Sequence, residues 1–250
     1  MNTAHTILLI GLSIMLPLAV IPVVTEAQPS PESAKPPAAS SQIPVYNPPL
    51  RGAPTSRVGG ASRGPKNSEL ALIVLAPEST GLTSRAQPTL YWYSSKGLSA
   101  PLEFTLNDER SVKPLVELQV TAPRPGIHAL RLNYNLKPEV EYQWSIAAVA
   151  DPNQRASDTI TSGTLKRVQL PATLADQLNR ASKRELPFLY AREGFWYDAI
   201  TTLSEQIDAN PTDRDLREQR AALLAQVKLI IQGCSKFEEG CSLKDTLINQ

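Results

Sequence analysis

Histidine is almost absent from this chain of 250 residues: there are two, His5 and His128. A nucleophilic triad needs a nitrogen base, and a histidine-rich metal site needs several imidazoles, so both chemistries have little to draw on. Cysteine is equally scarce, with Cys234 and Cys241 sharing the segment CSKFEEGC near the end. An excess of either charge is also missing. Lys and Arg number 25 against 24 Asp and Glu, a net of +1, which gives no nucleic-acid footprint. A long apolar run occurs in one place, Ile7 to Val24.

That run is followed by Thr25-Glu26-Ala27 and then Gln28-Pro29, the order of a secretory signal with small residues at the cut. Residues 1–27 are therefore expected to be a signal peptide and the mature chain to start at Gln28. The run is near the lower limit for spanning a bilayer, so membrane contact is expected only if it stays uncleaved. Pro17 and Pro22 favour cleavage, and no cysteine lies near for a lipid anchor. The expected location is secreted or periplasmic. There, two cysteines at short spacing read most simply as a disulfide, Cys234 to Cys241, worth roughly 2–3 kcal/mol by loop entropy.

Residues 28–67 form an arm rich in Pro, Gly, Ala and Ser, with five basic residues against Glu32. Its first part has little to bury and reads as an extended spacer. The stretch YNPPLRGAPTSRVGGASRG, residues 46–64, has two readings. It is either a flexible tether or a docking arm with Tyr46, Leu50 and Val58 as anchors and Arg51, Arg57 and Arg63 pairing with carboxylates.

Composition changes at Glu69. Seven apolar segments follow, from ELALIVLAP to DTITSGTLKRV, each ended by turn residues. Leu102, Phe104 and Leu106 alternate with polar residues, as do Val116, Leu118 and Val120, and Tyr142, Trp144 and Ile146. This period of two predicts an antiparallel β-sandwich over residues 68–168. PTLYWYS with inward Trp92, and LKPEVEYQWSIAAV with Leu136 ahead of Tyr142, resemble the second and sixth strands of a fibronectin type III or similar immunoglobulin-like domain. The resemblance implies that Tyr142 is a corner tyrosine.

From Pro171 the apolar period becomes helical, and residues 169–233 are expected to be a helical region. ATLADQLNRASKREL reads as a first helix. In the stretch from Arg180 to Pro211, Leu186, Tyr190, Gly194, Ala199, Ile200 and Pro211 match one tetratricopeptide-like repeat, two antiparallel helices turning at Gly194. Pro187 departs from that pattern, so the first helix of the pair is expected to start there or to be short. One further amphipathic helix carries Leu216, Leu223, Leu224, Val227 and Ile231 on one face. A single hairpin cannot bury its own apolar face, so it is expected to rest on the sandwich and on the further helix. Residues 234–250 are a tail. The fold class is thus α+β: an antiparallel sandwich, then a helical hairpin plus one helix.

Tyr46-Asn47-Pro48-Pro49, Gly52-Ala53-Pro54, the Arg57 to Gly64 run, Gly81-Leu82-Thr83, Pro101 to Phe104, and Gly194-Phe195-Trp196-Tyr197-Asp198-Ala199 together resemble a family of secreted proteins found mainly in cyanobacteria. That family is defined as domain of unknown function 928. The resemblance implies export and this architecture, and no known reaction.

Chemistry has few candidates. His128 begins a strand and reads as a satisfied edge histidine rather than a base. Glu103, Asp108, Glu117 and Asp198 are available as glycosidase-like carboxylates, but no spacing selects them. GGASRG lacks the Gly-Lys-Ser/Thr ending of a nucleotide loop. No catalytic residue, cofactor or metal is therefore expected. The expected function is non-enzymatic: binding of another envelope or exported protein through Arg57, Arg63, Trp196 and Tyr197. A second reading is carbohydrate binding or processing through outward Tyr91 and Tyr93, whose competing role is packing beneath the helices. A third is a purely structural envelope component.

Overall fold

The computed structural model describes residues 42–49 and 70–229, all within one compact unit. Eight strands precede four helices: β1 (Leu72–Val74), β2 (Gly81–Thr83), β3 (Thr89–Ser94), β4 (Leu102–Asp108), β5 (Val116–Val120), β6 (Gly126–Arg131), β7 (Glu141–Ala148), β8 (Thr159–Arg167), α1 (Ala172–Arg180), α2 (Leu186–Arg192), α3 (Trp196–Ala209) and α4 (Arg214–Gln226). One sheet has the order β1-β3-β6 and the other β2-β8-β7-β4-β5.

Every pairing is antiparallel except that of β2 with β8, which runs parallel. The sequence pattern predicts seven strands, and β2 is the addition. Three residues are too few to show a period, and the parallel partner lies far along the chain.

The predicted alternation is realised where both faces of a strand have a defined fate. Leu102, Phe104 and Leu106 are buried, as are Tyr142, Trp144 and Ile146, and they fill the space against the other sheet. On β5 the alternation is weaker. Val116 and Leu118 are half-buried and Val120 is buried, because β5 is an edge strand with one neighbour. In the three-stranded sheet the register places Val74, Trp92 and His128 on one face and Ile73, Tyr91 and Ala129 on the other. Both faces are covered, so β6 reads as a nearly continuous buried run. The Tyr142 hydroxyl reaches back to accept the backbone N–H of Lys137 at 2.9 Å.

The first predicted helix is split. α1 stops at Arg180 because Ala181 is extended, with φ −75° and ψ 145°. Pro187 then sits in the first turn of α2, where its missing N–H leaves no broken bond. Glu185 accepts the Ser182 N–H at 2.8 Å and the Ser182 hydroxyl at 2.7 Å, fixing the connection. α2 and α3 form the hairpin. α4 is capped by Asp213, whose carboxylate accepts the Leu216 N–H at 3.2 Å. Ile200, Leu203 and Ile207 of α3 and Leu216, Leu223 and Leu224 of α4 are buried. Each stabilises by roughly 1.5–3 kcal/mol relative to exposure. The hairpin's apolar face is thus used inside the molecule, against α4 and the sheets.

Candidate functional site

The start of α3 is where helices and sheets are joined. Phe195, Trp196, Tyr197 and Asp198 all lie below the surface. The indole N–H of Trp196 donates to the Leu75 carbonyl at 2.9 Å. The Tyr197 hydroxyl donates to the Thr164 carbonyl at 2.9 Å and accepts the Trp144 indole N–H at 3.0 Å. Burial holds the Tyr197 phenol above its ordinary range, and the Trp144 bond opposes that rise. Gly81 is required here: a Cβ at that position would stand 2.7 Å from Cε2 of Tyr197.

These contacts correct one expectation. Trp196 is 0 % and Tyr197 1 % exposed, so neither offers a face to a partner. They fasten the helical cap to the sandwich.

Asp198 completes the joint. Its carboxylate accepts the Ser84 N–H at 2.8 Å and the Ser84 hydroxyl at 3.0 Å, and Arg85 Nε lies 3.4 Å away. Burial raises its pKa, while the Ser84 amide, the Arg85 charge and the Ser84 and Thr83 hydroxyls pull it back. Asp198 also stands in the first turn of α3, where the helix dipole favours a negative charge. Its surroundings are those of a structural tether between β2 and α3.

The beginning of the arm is ordered. Residues 42–49 run without helix or strand along the cap. The Tyr46 N–H donates to Gln226 Oε1 at 2.9 Å, and Gln226 Nε2 returns a bond to the Pro44 carbonyl at 2.7 Å. The Asn47 N–H donates to the Ala191 carbonyl at 3.1 Å, and its side-chain amide to the Arg192 carbonyl at 3.0 Å. Tyr46 packs edge-on against Trp196 with ring centroids 4.9 Å apart. Burial pushes its phenol up, opposed by Ser79. Gly194 lies directly beneath, at φ +81°, 3.0 Å from the Asn47 carbonyl oxygen at its would-be Cβ. Of the anchors read from the sequence, Tyr46 is in place. Leu50, Arg51, Arg57, Val58 and Arg63 lie outside the described residues, as do the signal peptide and Cys234 and Cys241.

Two depressions of mixed polar and apolar lining flank the joint. A cleft of about 580 Å³ opens between the outer face of β3 and β6 and the helix α3, with Arg85, Gln87, Tyr91, Arg131, Glu205 and Asp208 on its walls. A groove of about 930 Å³ runs between α1, α2 and α4, with Gln42 of the arm at its rim and Arg180, Arg184, Phe188, Leu189 and Gln219 along it. Tyr91 lies on the outer face of its sheet, and of its two expected roles there it takes the packing one: it is 4 % exposed, beneath the helices. Burial pushes its phenol up to about 12, despite the Thr201 hydroxyl beside it. Tyr93 is half-buried. The exposed aromatic pair on which the second reading rested is therefore not formed.

His128 is buried and stacks on Trp92 at 5.6 Å. Its Nε2–H donates to the Arg124 carbonyl at 3.0 Å, because a carbonyl can only accept. The four carboxylates weighed above are scattered. Glu103 pairs with Arg155, Asp108 caps the turn at Arg110 and Ser111, Glu117 lies on β5, and Asp198 is in the joint. Among the described residues no three His, Cys, Asp or Glu side chains gather as a metal site needs. No helix among them is long and apolar enough to cross a membrane. Sequence reasoning missed Arg85, Arg131, Glu205 and Gln226, since nothing in their local sequence departs from a solvated surface.

These features define a class: a two-sheet body, mostly antiparallel, closed by a helical cap that an N-terminal strap crosses. The chain belongs to the family described as Domain of Unknown Function (DUF928), whose profile matches residues 58–232. No curated protein matches it.

Proposed function

We propose that this is an exported, non-enzymatic binding module of the cell envelope, and that the groove between α1, α2 and α4 takes an extended, proline-containing segment of another exported protein. One observation carries this reading. The cap holds such a segment of its own chain, Pro44 to Pro49, through the segment's backbone bonds to Ala191 and Gln226, the Asn47 side-chain amide on Arg192 and a buried tyrosine. Extended chains present unpaired N–H and C=O groups, and a helical surface that satisfies them with carbonyls and side-chain amides suits that conformation. Gln42 leads from that strap into the groove, where half-buried Phe188 and Leu189 provide apolar contact and Arg180 and Arg184 line the edge. Export rests on the apolar run and small residues at the N-terminus. The sheet order, with β2 parallel to the last strand, supports an immunoglobulin-like relationship for the body.

The test places a photo-crosslinking phenylalanine analogue at position 188 of the mature protein and exposes it to its native envelope fraction. Adducts mapped to extended proline-containing segments of an exported protein, and competed by the peptide QIPVYNPP, support the reading. Adducts on glycan, or on residues 28–41 of the same chain only, overturn it.

A further inference from the structure

We infer that the cleft between β3, β6 and α3 is a second binding site, for a carboxylated sugar. Its volume of about 580 Å³ lies in the range of small-ligand sites, and it sits at a junction between structural units where such sites occur. Its charges sort into pairs with one remainder. Arg85 Nη1 lies 3.4 Å from Glu205 across the rim, and Arg85 Nε lies 3.4 Å from buried Asp198. Asp208 opposes the charge of Arg220, which is 3 % exposed and whose pKa burial lowers to about 10 while Asp208 holds it up. Arg131, at the end of β6, forms no ion pair with any described residue and is exposed. The cleft therefore has one exposed guanidinium that a ligand's charge can meet.

The ligand's class follows from what surrounds Arg131. Glu205 and Asp208 stand in the same cleft and repel a dianion, so a singly charged carboxylate fits better than a phosphate monoester. The rest of the wall alternates donors and acceptors: the Arg85 guanidinium beside the Glu205 carboxylate, the amides of Gln87 and Asn135, and the Thr89 hydroxyl. Groups that both donate and accept satisfy such a wall, and sugar hydroxyls do both. The carboxylate pairs with Arg131 and the hydroxyls meet the α3 side. This site is independent of the groove proposed for the partner segment: the two share no lining residue.

The experiment is titration calorimetry on the mature protein with galacturonate, digalacturonate, the methyl ester of digalacturonate, and glycylglycine. The acids are expected to bind and the ester at least tenfold more weakly, since esterification removes the charge and keeps every hydroxyl. Arg131→Ala is expected to abolish the preference for acid over ester, and Lys113→Ala, at an exposed position outside the cleft, to leave it unchanged. Binding of digalacturonate but not of the monosaccharide assigns the site to a polymer; equal binding per sugar assigns it to the free acid. The inference is overturned if ester and acid bind alike, if none of the four binds, if glycylglycine binds as tightly as the acids, or if Arg131→Ala, folded by circular dichroism, binds as the parent does.

Discussion

The Tyr197 hydroxyl lies 3.0 Å from the Trp144 indole nitrogen, so the first turn of a helix is hydrogen-bonded to the middle of a buried strand. The same oxygen donates to Thr164 at 2.9 Å. Both partners are in the five-stranded sheet, and both would be left unsatisfied if the oxygen were removed.

Tyr197→Phe tests that joint. Each buried group left without its partner costs about 1–3 kcal/mol. The urea midpoint is expected to fall accordingly with an unchanged slope, because the ring still fills its place against Gly81. A midpoint equal to that of the parent would show that the two bonds contribute nothing net.

The strap is tested at Gly194, where φ is +81° and the Asn47 carbonyl oxygen is 3.0 Å from any added Cβ. The left-handed conformation alone costs a non-glycine residue roughly 1–2 kcal/mol. Gly194→Ala is expected to lower the thermal midpoint and to speed proteolytic cleavage within residues 42–49. Tyr46→Ala removes the ring against Trp196 and is expected to cost roughly 3 kcal/mol, with indole emission shifted to the red. The double variant should be less destabilised than the sum, since both release the same segment.

His128 provides a pH dependence. Burial holds its imidazole below the ordinary value of 6.5, against the Arg124 carbonyl, which supports the protonated ring. Between the folded and unfolded pKa values the unfolded chain binds more protons, so stability rises with pH there. The contribution is present above 6.5 and is lost as pH falls through 6.5 toward the folded value. The urea midpoint is expected to drop between about pH 7 and pH 5.5. Substituting His128→Gln, which keeps a donor for Arg124, should flatten that part of the curve; an unchanged curve would assign the effect elsewhere.

Burial requirements made most of the body legible from the residues. Leu102, Phe104 and Leu106 alternate because one face of β4 is packed, and Ile200, Leu203 and Ile207 recur at helical spacing for the same reason. Pro187 marked a helix start because proline lacks an N–H and suits a first turn. Trp196 and Tyr197 were misplaced because aromatic side chains near a helix turn suit a docking face and a core equally well, and composition does not separate the two.

The sequence by itself determined the order of sheets before helices, the period of the longer elements and the poverty of proton-transfer groups. These depend on local alternation and on residue chemistry. Tertiary structure alone decided that β2 exists, that the cap is bolted through Tyr197 and Asp198, and that Arg131 and Glu205 line one cleft. Each of those joins residues many tens of positions apart, and no local pattern of alternation or residue chemistry specifies which distant segments pack together.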